Sequence, residues 1–205
     1  MDTNGSSTLE TDKFRSSYLN SLVAEYFKAE ARNGLHQKTM KLIEQNYAGD
    51  KLQELTAEEN RQYRAGIDQI LLGMDDLAGQ ERERLESGKR NEVTGTSEQE
   101  MEIIAKIDRL SDIISREELQ IMADTYKDSS LVQRKLRKTA DNRGFGINIY
   151  PGYDQKIETV LQTAADMKSF ISSRDFGLTP AFYIEMQLGE ADDILSPAIK
   201  EADEA

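Results

Sequence analysis

Apolar residues along this chain recur at helical spacing. Between about Thr11 and Tyr47, Phe14, Tyr18, Leu22 and Tyr26 fall on every fourth position, with Leu19 and Val23 beside them. Residues three and four apart share one face of a helix, so the spacing predicts a helix with a single buried stripe. Asn33-Gly34 tolerates the left-handed backbone of a helix end, and a break or kink is expected there, before Leu35, Leu42, Ile43 and Tyr47. A new helix is expected at Thr56, because Thr56-Ala57-Glu58-Glu59 has the form of a capping box. Tyr63, Ile67, Ile70, Leu71, Met74, Leu77 and Ala78 supply its stripe, and the mixed charges of residues 80–86 form its exposed end.

Residues 87–96 (SGKRNEVTGT) hold two glycines and almost nothing apolar, which marks a linker and a domain boundary. Beyond it, Ser97-Glu98-Gln99-Glu100 is another capping box, followed by a stripe of Met101, Ile104, Ile107, Leu110 and Ile114. Ser115-Arg116-Glu117-Glu118 restarts the helix, with Leu119, Met122, Ala123 and Tyr126 on its buried face. A turn at residues 127–130 leads to a helix carrying Leu131, Val132, Leu136 and Ala140, and Gly144 stands where a C-cap glycine belongs. Residues 97–144 therefore read as a compact three-helix unit.

Residues 145–150 (FGINIY) alternate like a strand, but no second strand is available to pair with them, so a short extended connector is expected. Ile157, Val160, Leu161, Ala164, Met167 and Ile171 mark the next helix. Thr179-Pro180 reads as an N-cap with proline at the first helical position. The segment that follows, with Phe182, Tyr183, Ile184, Met186 and Leu188, is apolar on nearly all sides and has the character of a small adhesive element. Residues 189–205 are acidic and read as a flexible tail. The expected architecture is an all-α, elongated helical bundle: long helices over 1–86, a linker over 87–96, the three-helix unit over 97–144, C-terminal helices over 145–188, and the tail. The stripes of the long helices serve either as the core of the monomer or as faces that pair between copies in coiled-coil fashion.

Composition narrows the function classes. The chain is 38% hydrophobic and 31% charged, against the ~45–50% apolar content of an ordinary domain. Helices with one buried stripe and a broad wet face suit that balance. A net charge of −12 opposes a general nucleic-acid surface or docking on anionic lipid. No stretch has the ~20 consecutive apolar residues of a membrane span, and the first residues lack the pattern of a secretion signal, so a cytoplasmic protein is expected. Without cysteine there is no disulfide, thiolate nucleophile or Cys-based metal site.

An enzyme finds little support in the inventory, and no catalytic residue, metal ligand or cofactor is assigned. His36 is the one histidine, accompanied by no nucleophile motif, and reads as a surface residue after the Asn33-Gly34 break. Asp75-Asp76 and Asp192-Asp193 are adjacent pairs, which on a helix do not share a face, and a solvated surface accounts for them. Arg143-Gly144-Phe145-Gly146 lacks the strand, helix and lysine of a phosphate loop and fits a C-cap with a turn.

Charge supplies the one local feature that stands out. Arg134, Lys135, Arg137 and Lys138 cluster on one helix of an acidic chain, with Arg143 close behind. Arg134, Arg137 and Lys138 stand at i, i+3 and i+4 and share a face opposite Val132, Leu136 and Ala140. The cluster complements the helix dipole, docks an acidic protein surface, or touches nucleic acid as the second helix of a helix-turn-helix.

The segments 118–126 (ELQIMADTY) and 131–138 (LVQRKLRK) resemble helical pairs in head-assembly proteins of tailed bacteriophages. Long acidic helices, the absence of cysteine and tryptophan, and a small unit with a basic helix are together similar to the scaffolding proteins of that group. The resemblance implies a non-enzymatic virion-assembly role in host cytoplasm or virion, with long helices that self-associate into a homo-oligomer. It also implies that Arg134, Lys135, Arg137 and Lys138 contact an acidic patch on a capsid-type shell. In that family the basic element usually lies at the C-terminus, whereas here it is internal and the C-terminus is acidic. The rival expectation is a regulatory module, DNA-binding or inhibitory, built on residues 115–144.

Overall fold

The computed structural model describes residues 13–196. Among them the chain is all-α, with seven helices and no strand: α1 Ser17–Asn46, α2 Gly49–Thr94, α3 Glu98–Leu110, α4 Arg116–Thr125, α5 Ser130–Arg143, α6 Tyr153–Ser173 and α7 Leu178–Leu195. None of these helices is long and apolar enough to cross a membrane. The chain divides into two compact units. One comprises Met1–Gln80 and Leu161–Asp192, the other Glu81–Val160 and Asp193–Ala205. Helices α2, α6 and α7 contribute residues to both.

In the first unit the stripe of α1 is buried as its spacing requires, with Leu19 and Leu22 fully enclosed and Tyr18, Val23 and Tyr26 nearly so. The helix starts at Ser16, whose hydroxyl accepts from the Leu19 amide at 3.5 Å. It does not break at Asn33-Gly34. Ala29, His36 and Ile43 are all buried and stand seven residues apart, so the inward row runs straight through the glycine. A glycine inside a helix costs only about 1 kcal/mol, less than the burial on either side of it gains.

The break falls at Tyr47-Ala48, and Gly49 opens α2 with φ 59°. Thr56 therefore lies inside α2. Leu52 and Leu55, half-buried one turn before it, extend the apolar row backwards past the expected start. Tyr63, Ile67, Met74 and Ala78 then face inward.

Asp192 closes the first unit at the other end of the chain. Its buried carboxylate accepts from the Ser16 amide at 2.8 Å, the Arg15 amide at 3.2 Å and the Arg15 guanidinium at 2.9 Å. It is an internal clamp on the start of α1, contrary to its expected place on a solvated face. Residues 189–195, expected in the tail, are the last turns of α7, fixed by burial of Ala191, Asp192 and Leu195. The rest of the expected tail, from residue 197, lies outside the described residues. Helix α7 begins at Leu178, which puts Thr179 and Pro180 in its first turn, where a missing amide hydrogen leaves no helical bond unmade.

In the second unit, residues 87–94 continue α2 and do not form a linker. Residues of this stretch meet partners far along the chain. Gly88 lies against the Tyr153 ring, where an added Cβ would come within 2.9 Å, and Lys89 is ion-paired with Asp154. The core is built by α3, α4 and α5: Ile107, Ile114, Leu119, Ala123, Val132, Leu136 and Ala140 are buried together, with Phe145, Ile147 and Ile149 packed on them. Both expected capping boxes are present. The Ser97 and Ser115 hydroxyls accept from the Glu100 and Glu118 amides, and those glutamates accept from the cap amides in return.

Replacing Asp192 by alanine leaves the Ser16 amide buried without its acceptor and should destabilise the protein by about 2–3 kcal/mol in urea unfolding. Asp76→Ala, at an exposed site, should stay within about 0.5 kcal/mol. Acid should loosen the second unit at its caps. Hydrogen bonds from Ser129 and the Ser97 amide hold Glu100 below the usual carboxylate range, and bonds from Ser115 do the same for Glu118. A lowered folded value adds stability above the unfolded pKa and loses it as pH falls through the folded one. Helix signal in circular dichroism should therefore fall on acidification below the ordinary carboxylate range, and less steeply in Glu118→Gln.

Candidate functional site

Helix α5 is fixed at both ends before its surface is considered. Its N-cap is Ser129, whose hydroxyl accepts from the Val132 amide at 3.3 Å. The Glu92 carboxylate of α2 adds a second cap, accepting from the amide and hydroxyl of Ser130 and from the Leu131 amide. A negative group there also suits the positive end of the helix dipole. At the other end Gly144 takes φ 67°, and the amides of Gly144 and Phe145 return to Asp141 and Ala140. Only glycine adopts that backbone without penalty. Gly144 of Arg143-Gly144-Phe145-Gly146 is thus the C-cap, and the backbone carbonyl of Gly146 accepts from Arg116 at 2.7 Å.

The buried face of α5 carries Val132, Gln133, Leu136, Thr139 and Ala140. Opposite them, Arg134, Arg137 and Lys138 are exposed. The expected four-residue cluster is divided. Lys135 is half-buried and ion-paired with Asp108 of α3, which removes it from the free face. Arg143 is also engaged, donating to the Ser111 carbonyl at 3.0 Å with its guanidinium 5.0 Å from the centre of the Phe145 ring. Arg134, Arg137 and Lys138 make no ion pair or hydrogen bond among the described residues.

Gln133, which the sequence reading passed over, fixes what surrounds this face. It is 2% exposed, and its amide nitrogen donates to the carbonyls of Ala123 at 2.6 Å and Tyr126 at 3.0 Å. Its oxygen accepts from the Tyr150 amide at 3.1 Å. One side chain thereby joins the end of α4, the start of α5 and the connector that follows. Gln120 repeats the device one step earlier, exchanging two hydrogen bonds with the backbone of Asn148 at 2.8 and 3.3 Å. The connector 145–150 is thus extended as expected, with its apolar residues turned to the core and its backbone satisfied by side chains.

This pinning leaves a small cleft of about 110 Å³ beside Arg134 and Arg137, lined also by Ile149, Tyr150, Gly152 and Tyr153. Asp154 borders it, already paired with Lys89. Lys156, next along α6, is half-buried; burial and then the nearby Arg84 hold it below the usual lysine pKa. The Tyr150 hydroxyl is shifted up, first by burial and then by Asp124. The run Tyr150-Pro151-Gly152-Tyr153 was the available signal for this feature, as two aromatic residues around a turn.

A separate polar group in the first unit involves His36, which is buried and not on the surface as expected. Its Nδ1 lies 3.0 Å from the Glu59 carboxylate and its ring stacks on Tyr63 at 4.2 Å. The Tyr63 hydroxyl donates to Asn33 at 3.2 Å, and the Arg174 guanidinium sits 5.3 Å from the Tyr63 ring centre. These contacts tie α1 to α2. Asp75 accepts from Lys168 at 2.6 Å while Asp76 is exposed, so that pair does not converge.

Gln133→Leu should unfold the second unit more readily by about 2–3 kcal/mol, since it takes the side-chain partner from the Ala123 carbonyl and the Tyr150 amide, while the Tyr126 carbonyl keeps the Ser129 amide. Hydrogen exchange at the Tyr150 amide should accelerate in the same variant. Comparison of the chain with protein-family models, curated proteins and solved structures gives no match.

Proposed function

We propose that this chain is a non-enzymatic assembly protein that docks an acidic protein surface through Arg134, Arg137 and Lys138 and associates with itself. The observation that carries the reading is the isolation of those three cations. The chain has 38 Asp and Glu against 26 Lys and Arg, so a cation has many chances of an internal partner. Lys135 on the same helix has taken one, and among the described residues its three neighbours have not. A positive face held on a rigid helix in a negative chain steers an acidic partner to that face. The resemblance to phage scaffolding proteins gives the partner a specific form, an acidic patch on a capsid-type shell.

Self-association is supported by α7. Its inward side buries Tyr183, Ile184 and Leu188, while Leu178, Phe182 and Met186 remain 90%, 63% and 57% exposed. They stand four residues apart and share one face, a stripe of the kind that helices bury against a partner. The segment expected to be apolar on nearly all sides thus buries one side and leaves an apolar row exposed on the other. A second reading, duplex binding, draws on the packed pair α4 and α5 with free cations on the second helix, and the negative net charge opposes it.

The test compares the wild-type protein with the triple variant Arg134→Glu, Arg137→Glu, Lys138→Glu for binding to polyglutamate and to duplex DNA. Salt-dependent binding to polyglutamate that the variant loses is the expected result, with little affinity for the duplex. Preference for the duplex would transfer the function to regulation. Light scattering across a concentration series should show a species larger than the monomer, and Phe182→Glu with Met186→Glu should return it to monomer.

A further inference from the structure

The cleft beside α5 adds a second kind of contact to the basic face. Its volume of about 110 Å³ is below the ~300–1,000 Å³ of small-molecule sites and below the ~150 Å³ cavity that admits benzene. One aliphatic side chain is the scale of object it holds. Ile149, Tyr150 and Tyr153 offer apolar walls, Gly152 adds no side chain, and Arg134 and Arg137 stand at its border.

We propose that this cleft receives a single aliphatic side chain from an acidic, extended segment of the partner protein, whose carboxylates pair with Arg134, Arg137 and Lys138. The inference rests on the reading of α5 as the docking face. Charge complementarity selects the partner: Arg134 and Arg137, which have no ion pair among the described residues, border the opening, Lys138 lies one turn along α5 from Arg134, and the one carboxylate lining it, Asp154, is paired with Lys89. Spacing selects the extended form. Arg134 and Lys138 are separated by about 6 Å along the helix axis at ~1.5 Å per residue. Alternate side chains of an extended chain are about 6.5 Å apart on one side, so acidic residues two apart meet both cations. An aliphatic residue two positions beyond the one at Arg134, on the same side of the extended chain, then reaches the cleft, whose lining continues to Ser130.

Gly152 provides the discriminating variant. An added Cβ there meets no atom within 4 Å and its φ is not in the left-handed range, so Gly152→Leu adds a bulky side chain to the lining of the cleft without backbone strain. Fluorescence anisotropy would compare two synthetic Glu/Asp-rich peptides, one with a single leucine and its twin with serine in that place. Burial of one leucine should make the first bind about tenfold or more tightly. Gly152→Leu, with its circular dichroism and unfolding midpoint checked against wild type, should abolish that difference while both peptides keep their salt-dependent binding. Equal affinity for the two peptides in the wild type, or a leucine preference that survives Gly152→Leu, would overturn the cleft and leave the basic face standing. Absence of binding by either peptide, or binding unaffected by reversing the three charges, would overturn both.

Discussion

The buried amide of Gln133 is the interaction on which the second unit's surface depends. A neutral polar group enclosed in a core is tolerated only when its hydrogen bonds are met, and each unmet partner costs about 1–3 kcal/mol. Gln133 meets its own needs by supplying those of others, the last carbonyls of α4 and the amide of Tyr150. The turn between α4 and α5, the direction of α5 and the path of the connector are therefore set together. The positions of Arg134 and Arg137 against Tyr150 and Tyr153 follow from that single arrangement.

Rigidity at this point favours the proposed docking. Helix α5 is capped twice at its start, by Ser129 and Glu92, and closed by a left-handed glycine at its end. Cations on such a helix lose little backbone freedom when a partner arrives, so more of the electrostatic gain survives as affinity. The same charges on a flexible tail would associate quickly but hold less well. Exposed ion pairs elsewhere on the chain, such as Lys51 with Glu54 and Arg61 with Glu58, are short-range and contribute little to stability.

The first unit solves a different problem. Its helices bury ionic and aromatic groups together: Asp192 against Arg15 and Ser16, His36 against Glu59 and Tyr63, and Tyr183 with its hydroxyl on Asp166 at 2.9 Å. Burial, followed by the Asp166 bond, raises the Tyr183 hydroxyl far above the usual tyrosine value. Removing one member of such a set leaves the other buried and unpaired, so these contacts specify which helix faces meet. What the unit leaves outside is apolar, the Leu178, Phe182 and Met186 row of α7. The two units thus present surfaces of opposite chemistry, one basic and one apolar.

Periodicity and caps alone determined that the chain is all-α, where α3, α4 and α5 begin, where α5 ends, and that residues 145–150 form a connector. Those features rest on hydrogen bonds between residues within a few positions of each other, which sequence displays directly. Glycine and polar runs misled in both directions. Asn33-Gly34, residues 87–94 and residues 189–195 resemble ends or linkers locally, yet contacts from distant residues keep them helical, through Tyr63, Tyr153, Glu92 with Ser130, and Asp192 with Ser16. The candidate site divides along the same line. Shared spacing placed Arg134, Arg137 and Lys138 on one face, while only tertiary structure could assign Lys135 to Asp108 and bring Tyr150 and Tyr153 beside the arginines. Helical spacing says which way a side chain points, but its partner is set by packing between segments far apart in the chain, and no local pattern encodes that.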